Sequence, residues 1–212
     1  MSFSGRFLEF IAVSWLLIII PGPSVLFTIS RGIALGSSGA VKTVFGNSIG
    51  LVLQAIFVSV GLGEALARSN LAFSVVRLVG ASYLIYLGYM TLRSRKLVTD
   101  DKASDLALSS SKKIVREGLI VGLTNPKSFV FMAVVLPQFV IKANGHIPLQ
   151  LLTLGLTFSL LAFLSDSAWG IFAGKSRNWI AKNPNLLARL TRSAGVTIAM
   201  LGVVLLFYHQ SN

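Results

Sequence analysis

The chain has 212 residues, 54% of them hydrophobic and only 12% charged, and a mean hydropathy of +0.77. Soluble domains carry about 25% charged residues, so this composition indicates a protein that lies in the lipid bilayer. The sequence has no cysteine and two histidines, His146 and His209, neither of them in the interior of an apolar run. Thiolate and paired-imidazole sites are therefore excluded, and we predict no metal site and no cofactor.

The net charge of +12 would suggest a nucleic-acid partner in a soluble chain. Most of the basic residues, however, lie in short loops between apolar segments, where the positive-inside bias of membrane insertion places them. Nucleic acid is therefore not predicted as a partner. The sequence contains no G-x-x-x-x-G-K-[ST] motif, which argues against ATP hydrolysis by this chain.

A window of about 19 residues identifies six apolar segments long enough to span a bilayer. They cover residues 8–31, 43–64, 71–92, 117–140, 147–174 and 192–209. The predicted fold class is an all-α integral membrane protein with six transmembrane helices.

Two of these segments are interrupted by proline. The first is broken at Pro21-Gly22-Pro23 and the fourth at Asn125-Pro126-Lys127. A proline inside a membrane helix removes a backbone donor and frees a carbonyl, which hydrocarbon tolerates only where protein or a water-filled cavity satisfies the exposed groups. Broken helices at corresponding places in two halves of a chain point to the substrate site of a secondary transporter.

The distribution of basic residues predicts the orientation. Fourteen of the 19 Lys and Arg residues lie in the loops 32–42, 93–116 and 175–191 or at the helix ends beside them. The predicted location is the inner (plasma) membrane of the cell. The positive-inside rule places these loops in the cytoplasm and both termini on the outer side of that membrane.

The longest polar loop divides the chain into two repeats. Residues 1–92 and 117–212 each contain three predicted spans, and 93–116 forms a cytoplasmic linker between them. Because each half has an odd number of spans, the second half is inserted upside down relative to the first. The resulting 3+3 inverted repeat places the substrate site at the interface of the halves, near the midplane.

Two charged residues lie deep in the predicted spans. Lys127 is about ten residues and Asp166 about eight residues from the cytoplasmic ends of their segments, so their depths differ by a few ångströms. A charge at that depth costs about 2.5–3.5 kcal/mol or more, so both should face the bundle interior. Two interpretations remain open: a structural ion pair between helices, or a site that binds substrate charge and carries the coupling proton on Asp166.

Several polar residues accompany the breaks. Half-helices restart after each proline, with Ser24 in the first turn of one and Asn125 at the N-cap position of the other. Asn47 and Gln54 lie seven residues apart on the second span and therefore share a face. Capping alone for Asn125, and interhelical hydrogen bonds alone for Asn47 and Gln54, are alternative roles.

The predicted site collects these residues. The substrate-binding residues are Pro21, Gly22, Pro23, Ser24, Asn47, Gln54, Asn125, Pro126 and Lys127, and the proton-coupling residue is Asp166. The glycine pairs Gly32/Gly36, Gly46/Gly50 and Gly118/Gly122, together with Gly80/Gly88, are assigned to close helix packing instead.

At these motifs the chain resembles the lysine exporter (LysE/RhtB) family. The resemblance rests on residues 21–26 (PGPSVL), Arg31-Gly32, Gly36, Gly46-Asn47, Gly50, residues 80–88 (GASYLIYLG) and residues 118–127 (GLIVGLTNPK), and it runs from about residue 7 to 208. It implies a secondary exporter of amino acids or related small zwitterionic metabolites, driven by proton antiport. Many members that look specific for homoserine and threonine have Asp directly after Pro-Gly-Pro, whereas this chain has Ser24, so the resemblance implies the substrate class but not the substrate.

Other classes of protein fit the sequence less well. A divalent-cation exporter is disfavoured by the single deep carboxylate and the lack of intramembrane His or Cys. A membrane enzyme lacks a nucleophile–base pair, so no enzymatic activity is predicted. A passive channel remains an alternative, and the sequence leaves a homo-oligomer open.

Overall fold

The computed structural model describes residues 3–19, 21–62, 70–93 and 110–207. The regular elements in these ranges are helical. They are α1 (Phe3–Ile19), α2 (Pro23–Phe57), α3 (Asn70–Arg93), α4 (Ser111–Leu123), α5 (Pro126–Val130), α6 (Ile147–Lys175), α7 (Arg177–Ala181) and α8 (Pro184–Phe207). A π-helical turn at Val58–Leu62 continues α2, and a π-helical turn at Phe131–Val135 with a 3-10 turn at Leu136–Phe139 continues α5. A short 3-10 turn at Lys142–Asn144 precedes α6.

Proline and side-chain caps determine where several helices begin. Pro23, Pro126 and Pro148 lie in the first turns of α2, α5 and α6. Proline is favourable there because its φ is already helical and its missing N–H has no intrahelical partner in the first turn. The start of α4 is capped by Ser110, whose hydroxyl accepts a hydrogen bond from the Lys113 N–H at 3.3 Å.

Helix α2 contains an internal break at Gly36. This glycine has φ 72° and ψ −178°, and it separates a first part of α2 (23–35) from a second part (37–57). A Cβ atom at Gly36 would have no neighbour within 4 Å. The missing side chain at Gly36 therefore serves a left-handed backbone conformation that favours glycine, and the close contact of the Gly36 backbone with α6 depends on the glycine at position 174. The predicted loop 32–42 is wrong, because helix continues on both sides of Gly36.

The lengths of the helices bear on the predicted spans. In the described ranges, two helices are by themselves long and apolar enough to cross a membrane: the 39-residue stretch Pro23–Gly61 and the 29-residue stretch Ile147–Lys175. Helices 111–123 and 126–139 meet at a 43° bend and qualify when counted as one broken span. The six-helix 3+3 repeat stays a prediction.

In the C-terminal part of the chain, the predicted loop 175–191 and the predicted start of the last span need correction. The loop 175–191 is largely helical, with α7 at Arg177–Ala181, and α8 begins at Pro184 instead of residue 192. Most of the predicted linker, residues 94–109, lies outside the described residues. Its last part, from Ser111 onward, belongs to α4.

Glycines hold the central helices together. Helix α2 packs along α4 and α6, and α3 packs along α8. Gly46 and Gly50 of α2 face the backbone of α4, and Gly118 and Gly122 of α4 face the backbone of α2, so closely that a Cβ at any of the four would clash. This geometry confirms the packing role predicted for these two pairs.

The largest core cluster surrounds Phe10 of α1. Its ring lies 6.3 Å from the Phe131 ring and 5.4 Å from the Phe139 ring, and the Phe131 and Phe158 rings stack at 4.6 Å. This cluster joins α1, the continuation of α5, and α6. Many apolar side chains instead point outward, among them Leu16 and Leu160. An exposed apolar surface of that extent is expected where lipid, not water, surrounds the protein.

Candidate functional site

The first break leaves a carbonyl that the second half of the chain satisfies. Helix α1 ends at Ile19, and Pro21 has no N–H to bond to the Leu17 carbonyl four residues earlier. The Lys127 ammonium nitrogen donates a hydrogen bond to that carbonyl oxygen at 2.7 Å. A side chain from the second break therefore caps the helix that the first break interrupts.

At the second break, the free backbone carbonyls receive hydrogen bonds from a side chain of the first half of the chain. Asn125 is the N-cap of α5, as the sequence predicts, because its side-chain oxygen accepts from the Lys127 N–H at 3.1 Å. That bond draws the Lys127 N–H away from the Leu123 carbonyl four residues earlier. The Gln54 side-chain amide donates to the Leu123 carbonyl at 2.9 Å and to the Asn125 carbonyl at 3.3 Å. The Ser128 hydroxyl donates to the Gln54 side-chain oxygen at 2.9 Å.

Both breaks border one cavity. Its lining comes from α1, α2, α5 and α6 and includes a polar set and an apolar set. The polar residues are Ser24, Asn125, Lys127, Ser128 and Asp166, and the apolar residues are Leu17, Ile18, Val25, Leu51, Phe158 and Ala162. The cavity has a volume of about 30 Å³, room for about two water molecules.

Asp166 lies on the polar side of this cavity. Its side chain is 3% exposed, and one carboxylate oxygen accepts a hydrogen bond from the Asn47 side-chain amide at 3.3 Å. The Ser24 hydroxyl also hydrogen-bonds to Asp166, and Lys127 is near enough to interact with it electrostatically. The cavity lining thus holds one ammonium group and one carboxylate group.

The predicted site residues take four different positions. Ser24, Asn125, Lys127 and Asp166 line the cavity directly. Asn47 contacts it through Asp166, whereas Gln54 braces the second break.

The remaining predicted residues, Pro21, Gly22, Pro23 and Pro126, form the breaks themselves. A Cβ atom at Gly22 would lie 2.9 Å from the Lys127 side-chain carbon Cδ, so the absence of a side chain leaves room for the Lys127 stem.

Sequence reasoning missed the apolar half of the cavity and one ion pair. Leu51 and Phe158 look like ordinary core residues in sequence, and nothing local separates them from their neighbours. Arg31 and Glu117 were not paired, although Nη2 of Arg31 lies 2.8 Å from a Glu117 carboxylate oxygen. The spacing of seven residues from Ser24 to Arg31, which places both on one helix face, was an available signal.

The described residues contain no group of three or more His, Cys, Asp and Glu side chains placed to hold a metal ion. Asp166 is the carboxylate of the cavity lining, and its neighbours there are an amide, a hydroxyl and an ammonium group. Divalent cations prefer several oxygen ligands, usually with more than one carboxylate.

Comparison with known proteins places the chain in a family. The LysE type translocator model matches residues 15–209. The chain is 31% identical to the homoserine/homoserine lactone efflux protein of Salmonella typhimurium (strain LT2), over 92% of this chain and 93% of that protein. It is 29% identical to the leucine efflux protein of Klebsiella pneumoniae, over 89% of this chain and 88% of that protein.

A Vibrio cholerae protein described as an uncharacterized membrane protein is 30% identical over 87% of this chain and 88% of its own length. No solved structure gives a significant match. The family model covers nearly the whole chain, including both helix breaks and Asp166. The chain is a membrane protein and belongs to the LysE type translocator family.

Proposed function

We propose that this protein exports neutral amino acids, or small zwitterionic metabolites closely related to them, from the cytoplasm by proton antiport. The observation that carries the proposal is a cavity shared by the two helix breaks and lined by both Lys127 and Asp166. Two relatives are named for the efflux of homoserine and homoserine lactone and for the efflux of leucine. Homoserine and leucine are amino acids with uncharged side chains, which agrees with this substrate class.

Charge balance favours a neutral amino acid. The Lys127 ammonium and the Asp166 carboxylate cancel within the cavity, so a zwitterion adds no net charge to it. A lysine or glutamate side chain would add a full charge inside a low-dielectric site, which is costly. The apolar lining, including Leu51 and Phe158, suits an aliphatic side chain.

Each end of the zwitterion has a partner of opposite charge. Lys127 can keep its bond to the Leu17 carbonyl and still offer other ammonium protons to the substrate carboxylate, because an ammonium group has three donors. The substrate ammonium would bind Asp166, beside Ser24 and Asn47. A proton can replace that ammonium on the Asp166 carboxylate, so proton and substrate would compete for one group. Such competition is the basis of an antiport mechanism.

The size of the cavity supports alternating access. Its volume of about 30 Å³ is far below the roughly 300 Å³ or more of typical ligand pockets. Substrate binding therefore requires helices to separate, and the breaks at Pro21-Gly22-Pro23, Gly36 and Asn125-Pro126 supply places where a helix can bend. A carrier that opens and closes in this way fits the contracted cavity better than a continuously open channel.

We further propose the six-span, 3+3 inverted architecture for this exporter, in the inner membrane and with both termini outside. Gly36 supports it, because a 35-residue α2 would be about 52 Å long as a single rod, longer than a hydrocarbon core of about 30 Å. Division at Gly36 turns α2 into the end of the first span and most of the second. The mutual capping of the two breaks is also what an interface between two repeats would provide.

The test is counterflow in proteoliposomes that contain the purified full-length protein. Vesicles preloaded with unlabelled leucine or homoserine should accumulate the same labelled amino acid transiently. Lysine and glutamate should compete about tenfold less well or worse, since each carries an extra charge into the cavity. A channel gives no counterflow, and efficient competition by lysine would contradict the neutral substrate class.

A further inference from the structure

A stripe of polar side chains runs from the cavity along the first part of α2. Ser24, Thr28 and Arg31 are spaced four and three residues apart, which places them on one helix face. Ser24 lines the cavity. The Thr28 hydroxyl and Nη1 of Arg31 are buried and have no hydrogen-bond partner among the described residues. Buried polar groups normally have a partner, so their isolation here suggests that they meet water in another conformation.

The far end of this stripe is closed by an ion pair. Nη2 of Arg31 lies 2.8 Å from a carboxylate oxygen of Glu117 in α4, and the Arg31 guanidinium lies 4.8 Å from the Phe27 ring centroid. Arg31 is seven residues beyond Ser24, about 10 Å along the helix axis. In the predicted orientation, that displacement points toward the cytoplasm. In that orientation the ion pair lies on the cytoplasmic side of the cavity.

The two parts of α2, before and after Gly36, contact α4 in different ways. The second part of α2 is joined to α4 by the interlocked glycine pairs, which resist separation. The first part packs on α6 through Gly32 and reaches α4 through the Arg31–Glu117 pair. The Arg31 side chain is 10% exposed and the Glu117 side chain 31% exposed, and such a partly buried ion pair contributes little net stability because desolvation of the charges offsets much of their attraction. The ion pair is thus better suited to opening than the glycine contacts are.

We propose that Ser24, Thr28 and Arg31 line the cytoplasmic access route to the cavity and that the Arg31–Glu117 ion pair closes this route. The direction of the route rests on the proposed export function and its topology. Opening parts Arg31 from Glu117, and water then reaches Nη1 of Arg31 and the Thr28 hydroxyl. The substrate passes along the same stripe to Ser24 and Asp166.

The experiment measures access to Thr28 directly. Thr28→Cys introduces a single thiol into a chain that has none, and everted membrane vesicles expose the cytoplasmic face to a cationic, membrane-impermeant methanethiosulfonate reagent. Adding Glu117→Gln should raise the labelling rate about tenfold, because loss of the pair shifts the population toward the open route. Removing a negative charge would by itself slow a cationic reagent, so local electrostatics cannot produce the increase.

Lys42→Gln is the matched control. The Lys42 ammonium donates to the Ser111 hydroxyl at 2.7 Å, so this substitution also removes a polar contact between α2 and α4, but on the second part of α2. The labelling rate of Thr28→Cys should stay unchanged in the Lys42→Gln background. An unchanged rate with Glu117→Gln, or an equal rise in both backgrounds, would overturn the proposal.

A crosslink provides a second test that does not depend on Thr28→Cys. Arg31→Cys with Glu117→Cys, joined by a short, reducible bis-methanethiosulfonate, should lower amino-acid uptake into everted vesicles about tenfold, and a reductant should restore it. The same crosslink between Lys42→Cys and Ser111→Cys should leave uptake intact. If the crosslink between positions 31 and 117 leaves uptake undiminished, the proposed gate is overturned. If the protein shows no amino-acid uptake even before crosslinking, but Glu117→Gln still raises the labelling of Thr28→Cys, only the export function is overturned.

Discussion

The Lys127 ammonium and the Leu17 carbonyl, 110 residues apart in sequence, form a 2.7 Å hydrogen bond that joins the two helix breaks. Pro21 frees the carbonyl, and the restart of helix at Pro126 positions the lysine. This one contact gives the Leu17 carbonyl a hydrogen-bond donor, which lipid hydrocarbon could not supply, and it also holds a positive charge at the cavity. The same geometry leads to predictions about substrate binding, coupling and stability.

Replacement of Lys127 should separate the carboxylate-bearing substrates from their analogues. We expect Lys127→Ala to weaken binding of the transported amino acid about 10-fold to 100-fold, because a hydrogen bond to a charged group is lost. Binding of the corresponding amine, which lacks the carboxylate, should change much less. Competition against labelled substrate in proteoliposomes measures the affinity for the amino acid and for the amine. If the substitution weakens binding of both ligands equally, Lys127 does not bind the substrate carboxylate and its role is limited to the bond with the Leu17 carbonyl.

Asp166 should be required for coupling to the proton gradient. Asp166→Asn keeps the shape and the ability to hydrogen-bond but cannot exchange a proton, so export driven by a pH gradient should be abolished. Flux assays with and without an imposed pH gradient test this, with size-exclusion chromatography in detergent to verify that the variant is folded. Normal gradient-driven efflux by this variant would show that Asp166 is structural.

Substrate should protect both breaks from thiol reagents. Ser24→Cys and Ser128→Cys each place one thiol in the cavity lining, and the chain has no native cysteine to react in the background. The transported amino acid should slow the modification of both. Ser111→Cys, at the exposed start of α4, is the control that substrate should not protect. Protection at one cavity position and not at the other would mean that the breaks do not share a substrate site.

Reporter fusions should place the termini and the linker on opposite sides of the membrane. A fusion after Arg95 should report the cytoplasm, and a fusion after Asn212 should report the exterior, because the basic loops remain inside. Alkaline phosphatase and green fluorescent protein fusions are active on opposite sides and give the two measurements. The same side for both fusions would rule out the inverted repeat.

The glycine contact between α2 and α4 should dominate stability in detergent. Gly118→Leu places a side chain against the Thr43 carbonyl and should destabilise the fold by about 1–3 kcal/mol or more, since overpacking displaces the backbone. Gly61→Leu is the control, because a Cβ there would meet no atom within 4 Å. Thermal unfolding followed by fluorescence-detected size exclusion compares the two. Equal midpoints would contradict the packing role of Gly118.

The sequence by itself determined the membrane class, the two helix breaks and the candidates for buried charge. These features are local: a proline removes its own N–H whatever surrounds it, and a lysine or aspartate within an apolar segment must face the interior because lipid cannot solvate it. Asn125 as the N-cap of α5 is local as well, since its side chain bonds to a backbone group two residues away. The helix from Ile147 to Lys175 matches the predicted segment 147–174 almost residue for residue.

Only the tertiary structure decided which groups meet. The bond from Lys127 to the Leu17 carbonyl, the bracing of the second break by Gln54, and the Arg31–Glu117 pair each join residues far apart in the chain. No periodicity or composition encodes such distances. Gly36 illustrates the same limit: its spacing from Gly32 suited helix packing, yet its backbone turns left-handed, because the surrounding contacts and not the sequence interval decide which glycine bends a helix.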